Sequence, residues 1–398
     1  MELEKAIALL KENTKEVSKT IRVKIQEAYG RVLAEDVVAT HDQPPFSRSP
    51  LDGYAVRGAD TSGATCDSPV VLRVIDEVDA GHVSGKTVAA GEAVRIMTGA
   101  PMPEGADSVI RQEDTDGGED TVRVYSATEP FENYCKKGED YCKGTVLLNA
   151  GTVLNAAETG VLASTGKTDV LVYSPLRALV ISTGDELLTP GEELSRGKIY
   201  DSNMPMIDAA LRSFGVNVTG TYMTGDDAAV CAERIKEAGA DADLIVTSGG
   251  VSVGKKDILH EVVELLHAQK LFWQVDIKPG SPMLAALYQG KPLLCLSGNP
   301  YGAFVSLQLL VRSVVAYASR RNDLLMHVFE ADVKGSFPKP SGLRRYVRAY
   351  YEDGRVRPTT GSNDNGVLST LSGCNCLMEI PAGSDAIADG ARCRVYLL

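Results

Sequence analysis

The chain has 398 residues, with 41 Lys or Arg against 53 Asp or Glu, a formal net charge of −12. That length predicts two to four domains, and the acidic balance, with no run of Lys/Arg interleaved with aromatics, argues against nucleic acid as a main partner. Eight cysteines are scattered without a CxxC pair and apart from the five histidines. Neither a zinc site nor a redox motif is expected, and reduced thiols in a cytoplasmic protein are the default.

In chain order, MELEKAIALLKEN carries apolar residues at 3, 6, 7 and 10, one face of a helix and not a signal peptide. An alternating stretch follows (Val17, Ile21, Val23, Ile25). Residues 44–142 read as short strands between turns: VVLRVIDEV, EAVRIMTG, DSVIRQED and TVRVYS. Residues 144–166 read as a strand, a turn and a short helix. Residues 174–323 form a βα unit, and residues 324–398 return to strands (HVFEADV, RRYVRAYYE, CLMEIP, ARCRVYLL). No apolar run approaches the length of a membrane span. The longest, AFVSLQLLVRSVVAYA, is interrupted by Arg312, so no membrane partner is expected.

The βα unit carries the strongest signal. RALVIST ends in Thr183-Gly184-Asp185-Glu186, NVTGTYMT in Gly225-Asp226-Asp227, DLIVTS in the Gly-rich turn Ser248–Gly254, and PLLCLS in Ser297-Gly298-Asn299-Pro300. Parallel strands joined by crossover helices place such turns on one sheet edge, where ligands bind. Two of the turns are Gly-rich, suited to presenting backbone N–H groups to an anion. The other two carry carboxylates. Together they point to a phosphorylated substrate held through a divalent cation.

Each candidate also has a plainer reading. Asp227, Asp257 and Asn203 each precede a helix-like stretch and could be N-caps alone. Asp226 is not needed if Asp227 caps, and Gly249-Gly250 has no capping role. Glu186 is as well explained as a solvated turn residue. Lys278 in IKPG is a surface turn lysine or a cation facing an anion. Asp52 before Gly53, Thr98 before Gly99 and Asp140 after Gly138-Glu139 each fit ordinary turns. No Ser/His/Asp or Cys/His set is visible, so covalent catalysis is not expected.

The motifs SPLDGYAVR (49–57), RIMTGAPMPEGAD (95–107), KKGEDYCKGTVLLNAGTVL (136–154), STGDEL (182–187), GKIYDSN (197–203), TGDD (224–227), TSGGVSVGKKD (247–257), IKPGSPM (277–283) and LSGNP (296–300) resemble, in this order, the molybdopterin molybdenumtransferase family, which includes bacterial MoeA and the enzymatic domain of gephyrin. The resemblance implies four domains. These are an elongated one (1–43 plus 143–173), a β-rich substrate-site domain (44–142), a central α/β/α parallel-sheet domain like the molybdopterin adenylyltransferases (174–323) and a C-terminal β-barrel-like domain (324–398). It further implies a homodimer that inserts molybdate into adenylylated molybdopterin with release of AMP, aided by Mg2+ or another divalent cation. Molybdopterin adenylyltransferase and apo-molybdoenzymes are the implied protein partners.

By the same resemblance Asp52, Thr98 and Asp140 come from the partner subunit. Glu186, Asp226, Asp227 and Asp257 hold the metal, and Asp52, Thr98, Glu186 and Asp257 are the catalytic group. Gly184, Asp185, Ser202, Asn203, Ser248, Gly249, Gly250, Ser252, Lys278, Pro279, Gly280, Ser297, Gly298, Asn299 and Pro300 contact nucleotide, pterin or oxyanion. The chain departs from the family pattern at Gln274 and Ser281, where Lys is usual, at Ser297, where Pro is usual, at Tyr301-Gly302 in place of Val-Ser, and at Pro50-Leu51. The lost cations leave a non-catalytic pterin-binding or scaffold paralogue as the alternative.

Overall fold

A computed structural model describes residues 1–251, 257–361 and 364–398. The chain forms two compact units: residues 1–34, 151–155 and 169–398, and residues 35–150 with 156–168.

In the larger unit the strands Arg177–Thr183, Asn217–Thr224, Leu244–Ser248 and Lys291–Leu296 run parallel. Arg177–Thr183 lies between Asn217–Thr224 and Leu244–Ser248, with Lys291–Leu296 beyond the latter. Their side chains alternate between two cores, as the two-residue period of a strand requires. Ala178, Val180, Leu244, Val246, Leu294 and Leu296 pack against Ile207 and Leu211 of the helix Asn203–Ser213. Leu179, Ile181, Ile245, Leu293 and Cys295 pack on the other side, against Cys231 and Ile235 of the helix Ala228–Ala238 and Val262 of Leu259–Leu265. This is a three-layer α/β/α domain whose central strands are buried on both faces, which is why they read as unbroken apolar runs. Burial pushes the Cys231 thiol up to about 11 and the Cys295 thiol up to about 12, as inert core thiols.

Two further strands extend the sheet antiparallel, Leu284–Tyr288 and Gln269–Trp273. The turn explains the reversal. Gln289 and Gly290 have φ of 52° and 75°, the left-handed pair of a two-residue hairpin, and Tyr288 faces Lys291 across it.

Pro300–Ala318 is a 19-residue helical stretch with a π segment at Leu307–Val311. Arg312 does not break it, contrary to the sequence expectation, and the stretch is long and apolar enough to span a membrane. It is a core helix, 78% buried inside the protein. Arg312 is accommodated because its guanidinium donates to Leu324 O and to Gln308 Oε1 and stacks over Phe214.

The C-terminal strands close into a barrel. Arg344–Glu352 pairs with Arg355–Pro358 on one side and Cys376–Ile380 on the other, and Val328–Val333 and Arg392–Leu397 complete the circuit. Val333, Val347, Val356, Met378 and Val395 fill it. The sequence reading missed the short strand Arg355–Pro358, which the hairpin residues Asp353 and Gly354, both at positive φ, deliver.

The smaller unit holds a five-stranded sheet in the order Ser108–Arg111, Gly53–Val56, Glu92–Ile96, Val70–Val78, Thr121–Val124. Gly53 opens a strand as well as following a turn. A Cβ there would lie 1.8 Å from Ile110 O, so only glycine allows the two strands to meet.

Candidate functional site

All four strand-end turns of the parallel sheet reach one cavity of about 680 Å³. Thr183–Glu186, Asp226, Ser248–Gly250 and Ser297–Pro300 supply its walls, apart from Asp185, and Ser202, Asn203 and Asp257 join them. Of the residues expected there, Gly184, Glu186, Ser202, Asn203, Asp226, Ser248, Gly249, Gly250, Asp257, Ser297, Gly298, Asn299 and Pro300 therefore come together.

The turns are bound to one another. Asn203 Nδ2 donates to Ser248 Oγ and to Gly298 O, each at 2.8 Å, and Ser248 Oγ donates to Ser297 O at 3.2 Å. Asp185 Oδ1 accepts the Asp226 N–H at 3.0 Å. Gly249, at φ +98°, must be glycine, because a Cβ would sit 2.2 Å from Thr183 O. Ser297, where the family has Pro, makes its own turn: its Oγ accepts the Asn299 N–H at 3.2 Å.

Several expectations are corrected. Asn203 is not the cap of its helix but its first residue. The capping acceptor is Asp201 Oδ1, which takes the N–H groups of Asn203 (3.0 Å) and Met204 (3.1 Å). Asp227 does cap, accepting the Val230 N–H at 3.0 Å, and it does not line the cavity. Asp257 lies one residue before the Ile258 N-cap of its helix and lines the cavity. Lys278, Pro279 and Gly280 are not in the cavity wall, and neither are Gln274 or Ser281. Lys278 is exposed and pairs with Arg345 at the start of a barrel strand, which explains its place without a ligand. Ser252 lies outside the described residues. The Gly-rich turns offer fewer free donors than expected, because the N–H groups of Gly249, Asn299 and Tyr301 are engaged by Leu296 O, Ser297 Oγ and Asn365 O.

Sequence reasoning missed Asp201, Ser182 and Tyr200, and the barrel residues Gly366 and Leu368, all in the wall; Thr183 entered it only as part of its strand-end turn. Asp201 stands two residues before the helix, a capping position that Asn203 seemed to fill. Ser182 Oγ, Thr183 Oγ1, Asp201 Oδ2 and Asn203 Oδ1 are buried without a hydrogen-bond partner. Such groups are costly unless a ligand or water pairs them.

The wall is strongly acidic. It carries Glu186, Asp201, Asp226 and Asp257, and no Lys, Arg or His among the described residues. The donors are all oxygen, which suits a hard divalent cation. No three Asp, Glu, His or Cys among the described residues are grouped as a metal site, which leaves room for a cation held by one or two carboxylates, water and ligand oxygens.

In the smaller unit three turns are knitted into one. Arg48 and Cys135 exchange backbone hydrogen bonds at 2.9 and 3.0 Å, Gly99 N–H donates to Ser49 O, and Gly138 N–H to Pro44 O. Asp52 Oδ1 accepts both the hydroxyl and the N–H of Thr98 at 2.7 Å. Those two bonds, the hydroxyl first, hold the Asp52 carboxyl below its ordinary range. Asp140 lies in the neighbouring turn, its N–H on Gln43 O.

The architecture and the acidic cavity at the ends of parallel strands define a multidomain protein with a ligand-binding α/β domain. Family descriptions match along the chain: "MoeA N-terminal region (domain I and II)" over residues 1–166, "Probable molybdopterin binding domain" over 179–317 and "MoeA C-terminal region (domain IV)" over 330–398. The molybdopterin molybdenumtransferase of Staphylococcus aureus (strain MSSA476) is 37% identical over 374 residues, 93% of this chain and 89% of that protein. Its counterpart in Staphylococcus epidermidis (strain ATCC 12228) is 36% identical, covering 94% and 90%. The crystal structure of the molybdopterin biosynthesis MoeA protein of Pyrococcus horikoshii OT3 superposes with a TM-score of 0.85 at 30% identity, over the full length of both chains. The chain belongs to the MoeA family.

Proposed function

We propose that this chain is a molybdopterin molybdenumtransferase of molybdenum cofactor biosynthesis, inserting molybdate into the dithiolene of adenylylated molybdopterin and releasing AMP. The observation that carries the reading is the cavity itself, with four carboxylates and no cationic side chain among its described residues. A diphosphate ester would be repelled from such a wall unless it arrived with a divalent cation.

Glu186, Asp226 and Asp257 are the residues that would hold that cation, Mg2+ by preference; Asp227, which caps a helix and does not line the cavity, is left out of the set. The cation would neutralise charge on the phosphoanhydride as it is cleaved. Asn203, tied to Ser248 and Gly298, fixes the spacing of the turns around the ligand. The four unpaired polar atoms on Ser182, Thr183, Asp201 and Asn203 are available to orient it. The protein acts as a homodimer, and Asp52, Thr98 and Asp140 of the partner chain complete the site.

The test is AMP release from adenylylated molybdopterin, with molybdate, with tungstate, with neither, and with EDTA. Oxyanion-dependent release abolished by EDTA is expected. Tight binding with no AMP under any condition would identify a scaffold instead of an enzyme.

A further inference from the structure

Arg348 is the largest side chain sealed completely from solvent, at 0% exposure. An arginine so placed is expensive unless its five donors and its charge are met. Its guanidinium carbon stands 3.9 Å from the centroid of the Tyr301 ring. Its terminal nitrogens donate to Val367 O, to Thr370 Oγ1 and to Asp364 O, the last at 2.9 Å, while its Nε is buried without a hydrogen-bond partner. One side chain therefore gathers three residues of a segment that contains no strand.

Both ends of this contact reach the cavity. Tyr301 directly follows Pro300, at the start of the helix Pro300–Ser306, and is itself 2% exposed. Its hydroxyl donates to Tyr346 O at 2.8 Å on the barrel. Its N–H, which has no acceptor inside the helix, donates to Asn365 O at 3.1 Å. On the other side, Gly366 and Leu368 belong to the segment that Arg348 gathers, and among the described residues they are what the C-terminal strand domain contributes to the cavity wall.

We propose that Arg348, stacked on Tyr301, is a positioning residue for the site: it locks the barrel segment 364–371 to the turn Ser297–Pro300 so that the two form one wall. The barrel thereby takes part in shaping the ligand pocket. Arginine is suited by its planar fork, since a lysine ammonium is a compact point charge that cannot lie flat on the ring while its donors spread to separated acceptors. Tyr301, where the family usually has Val, gives the guanidinium its π face.

The test compares Arg348→Lys, Tyr301→Leu and Tyr301→Phe in the full chain by hydrogen–deuterium exchange and by steady-state kinetics. In Arg348→Lys, amides of 364–371 and of 298–303 should both exchange on the order of tenfold faster. KM for adenylylated molybdopterin should rise by about tenfold with kcat within about twofold, because a loosened wall binds ground and transition states alike less well. Tyr301→Leu leaves the hydrogen bonds of Arg348 in place and should show the same pattern more weakly. Tyr301→Phe loses the hydroxyl bond to Tyr346 O but keeps the ring, so exchange in 364–371 should stay at the wild-type rate. Should Arg348→Lys fail to fold, Tyr301→Leu carries the test. Faster exchange in 364–371 with 298–303 unchanged overturns the proposal, as does a fall in kcat at constant KM. The exchange measurement needs no substrate, so its outcome is independent of the reaction assigned to the pocket.

Discussion

Asp185 and Asp226 hold each other's backbone. Asp185 Oδ1 accepts the Asp226 N–H at 3.0 Å, and Asp226 Oδ2 accepts the Asp185 N–H at 3.5 Å. This reciprocal pair joins the turns that end two neighbouring parallel strands, so Glu186 and Asp226 are offered to the cavity as a unit. Gly225 lies beneath it, and a Cβ there would come within 2.8 Å of Asp185 Oδ1. Asp185→Ala and Gly225→Ala should both uncouple the turns. Asp185 is exposed, so unfolding free energy should change by less than about 1 kcal/mol. AMP release should fall on the order of tenfold, the loss expected when positioned groups drift. Thermal melts alongside initial rates check this; unimpaired rates in both variants would remove the pair from the site.

Asn203 is the joint of three turns. Asn203→Ala deletes its bonds to Ser248 Oγ and Gly298 O and leaves the buried carbonyl without that donor. A stability loss of about 1–3 kcal/mol is expected, measurable by urea denaturation, together with weaker ligand binding. A variant as stable as the wild type would mean that water replaces the side chain without cost.

How far the sequence anticipates this site depends on where the information lies. Three of the strand ends are legible because inner parallel strands buried on both faces read as continuous apolar runs, and Gly, Asp or Asn follows each; Asn217–Thr224, at the sheet edge, alternates instead and is marked by its Gly-Asp-Asp turn. Asp201 and Asn203 are not separable by pattern, since either can cap a helix; only the backbone register assigns the cap to Asp201 and frees Asn203 to bridge. Lys278 attracts attention as a turn lysine beside Pro-Gly, yet its place is set by pairing with Arg345. Gly366 and Leu368 carry no reactive group and lie far along the chain, so nothing local marks them. Their placement depends on Arg348, whose burial is a tertiary outcome. Asp52 looks like a turn residue and is one; its bond to Thr98 spans 46 residues and has no signature in either segment.

The acidic wall predicts a division among its carboxylates. Glu186→Gln and Asp257→Asn should each raise the Mg2+ concentration needed for half-maximal AMP release by about tenfold or more, because each removes a formal charge from the cation's donors. Asp227→Asn should stay within about twofold of wild type, since Asn caps a helix about as well as Asp. Magnesium titrations of the three variants after EDTA treatment decide it. An Asp227→Asn chain as impaired as the other two would return Asp227 to the metal set.

Trp273 is the single tryptophan and reports on the Gly-rich turn, because its Nε1–H donates to Val251 O at 3.1 Å. His260 meets its ring edge-on at 5.1 Å. Burial first, and the Lys270 charge second, hold the His260 pKa below 6.5. The neutral ring is therefore favoured by folding. Its contribution to stability is fully present above pH 6.5 and is lost as pH falls through the lowered folded value, where the unfolded chain binds the extra proton. Trp273 emission should fall over that same acidic window as the imidazolium forms beside the indole, and His260→Gln should flatten the titration. A midpoint above 6.5 would contradict the burial argument.

The cross-subunit site proposed above makes a prediction about mixed dimers. Asp52→Asn and Glu186→Gln chains should each be nearly inactive alone, since every site in either dimer carries a lesion. If Asp52 acts across the subunit boundary, a dimer of one chain of each kind has one site with both lesions and one with neither. Random exchange makes about half of all dimers mixed, so roughly a quarter of all sites should recover. If Asp52 instead serves its own chain, both sites of the mixed dimer stay damaged and nothing is regained. The chains are to be co-expressed with different tags, the mixed dimer isolated by successive affinity steps, and AMP release compared with that of each parent. About half of wild-type activity in the isolated mixed dimer is the expected result, and activity no greater than the parents' would rule out the cross-subunit site.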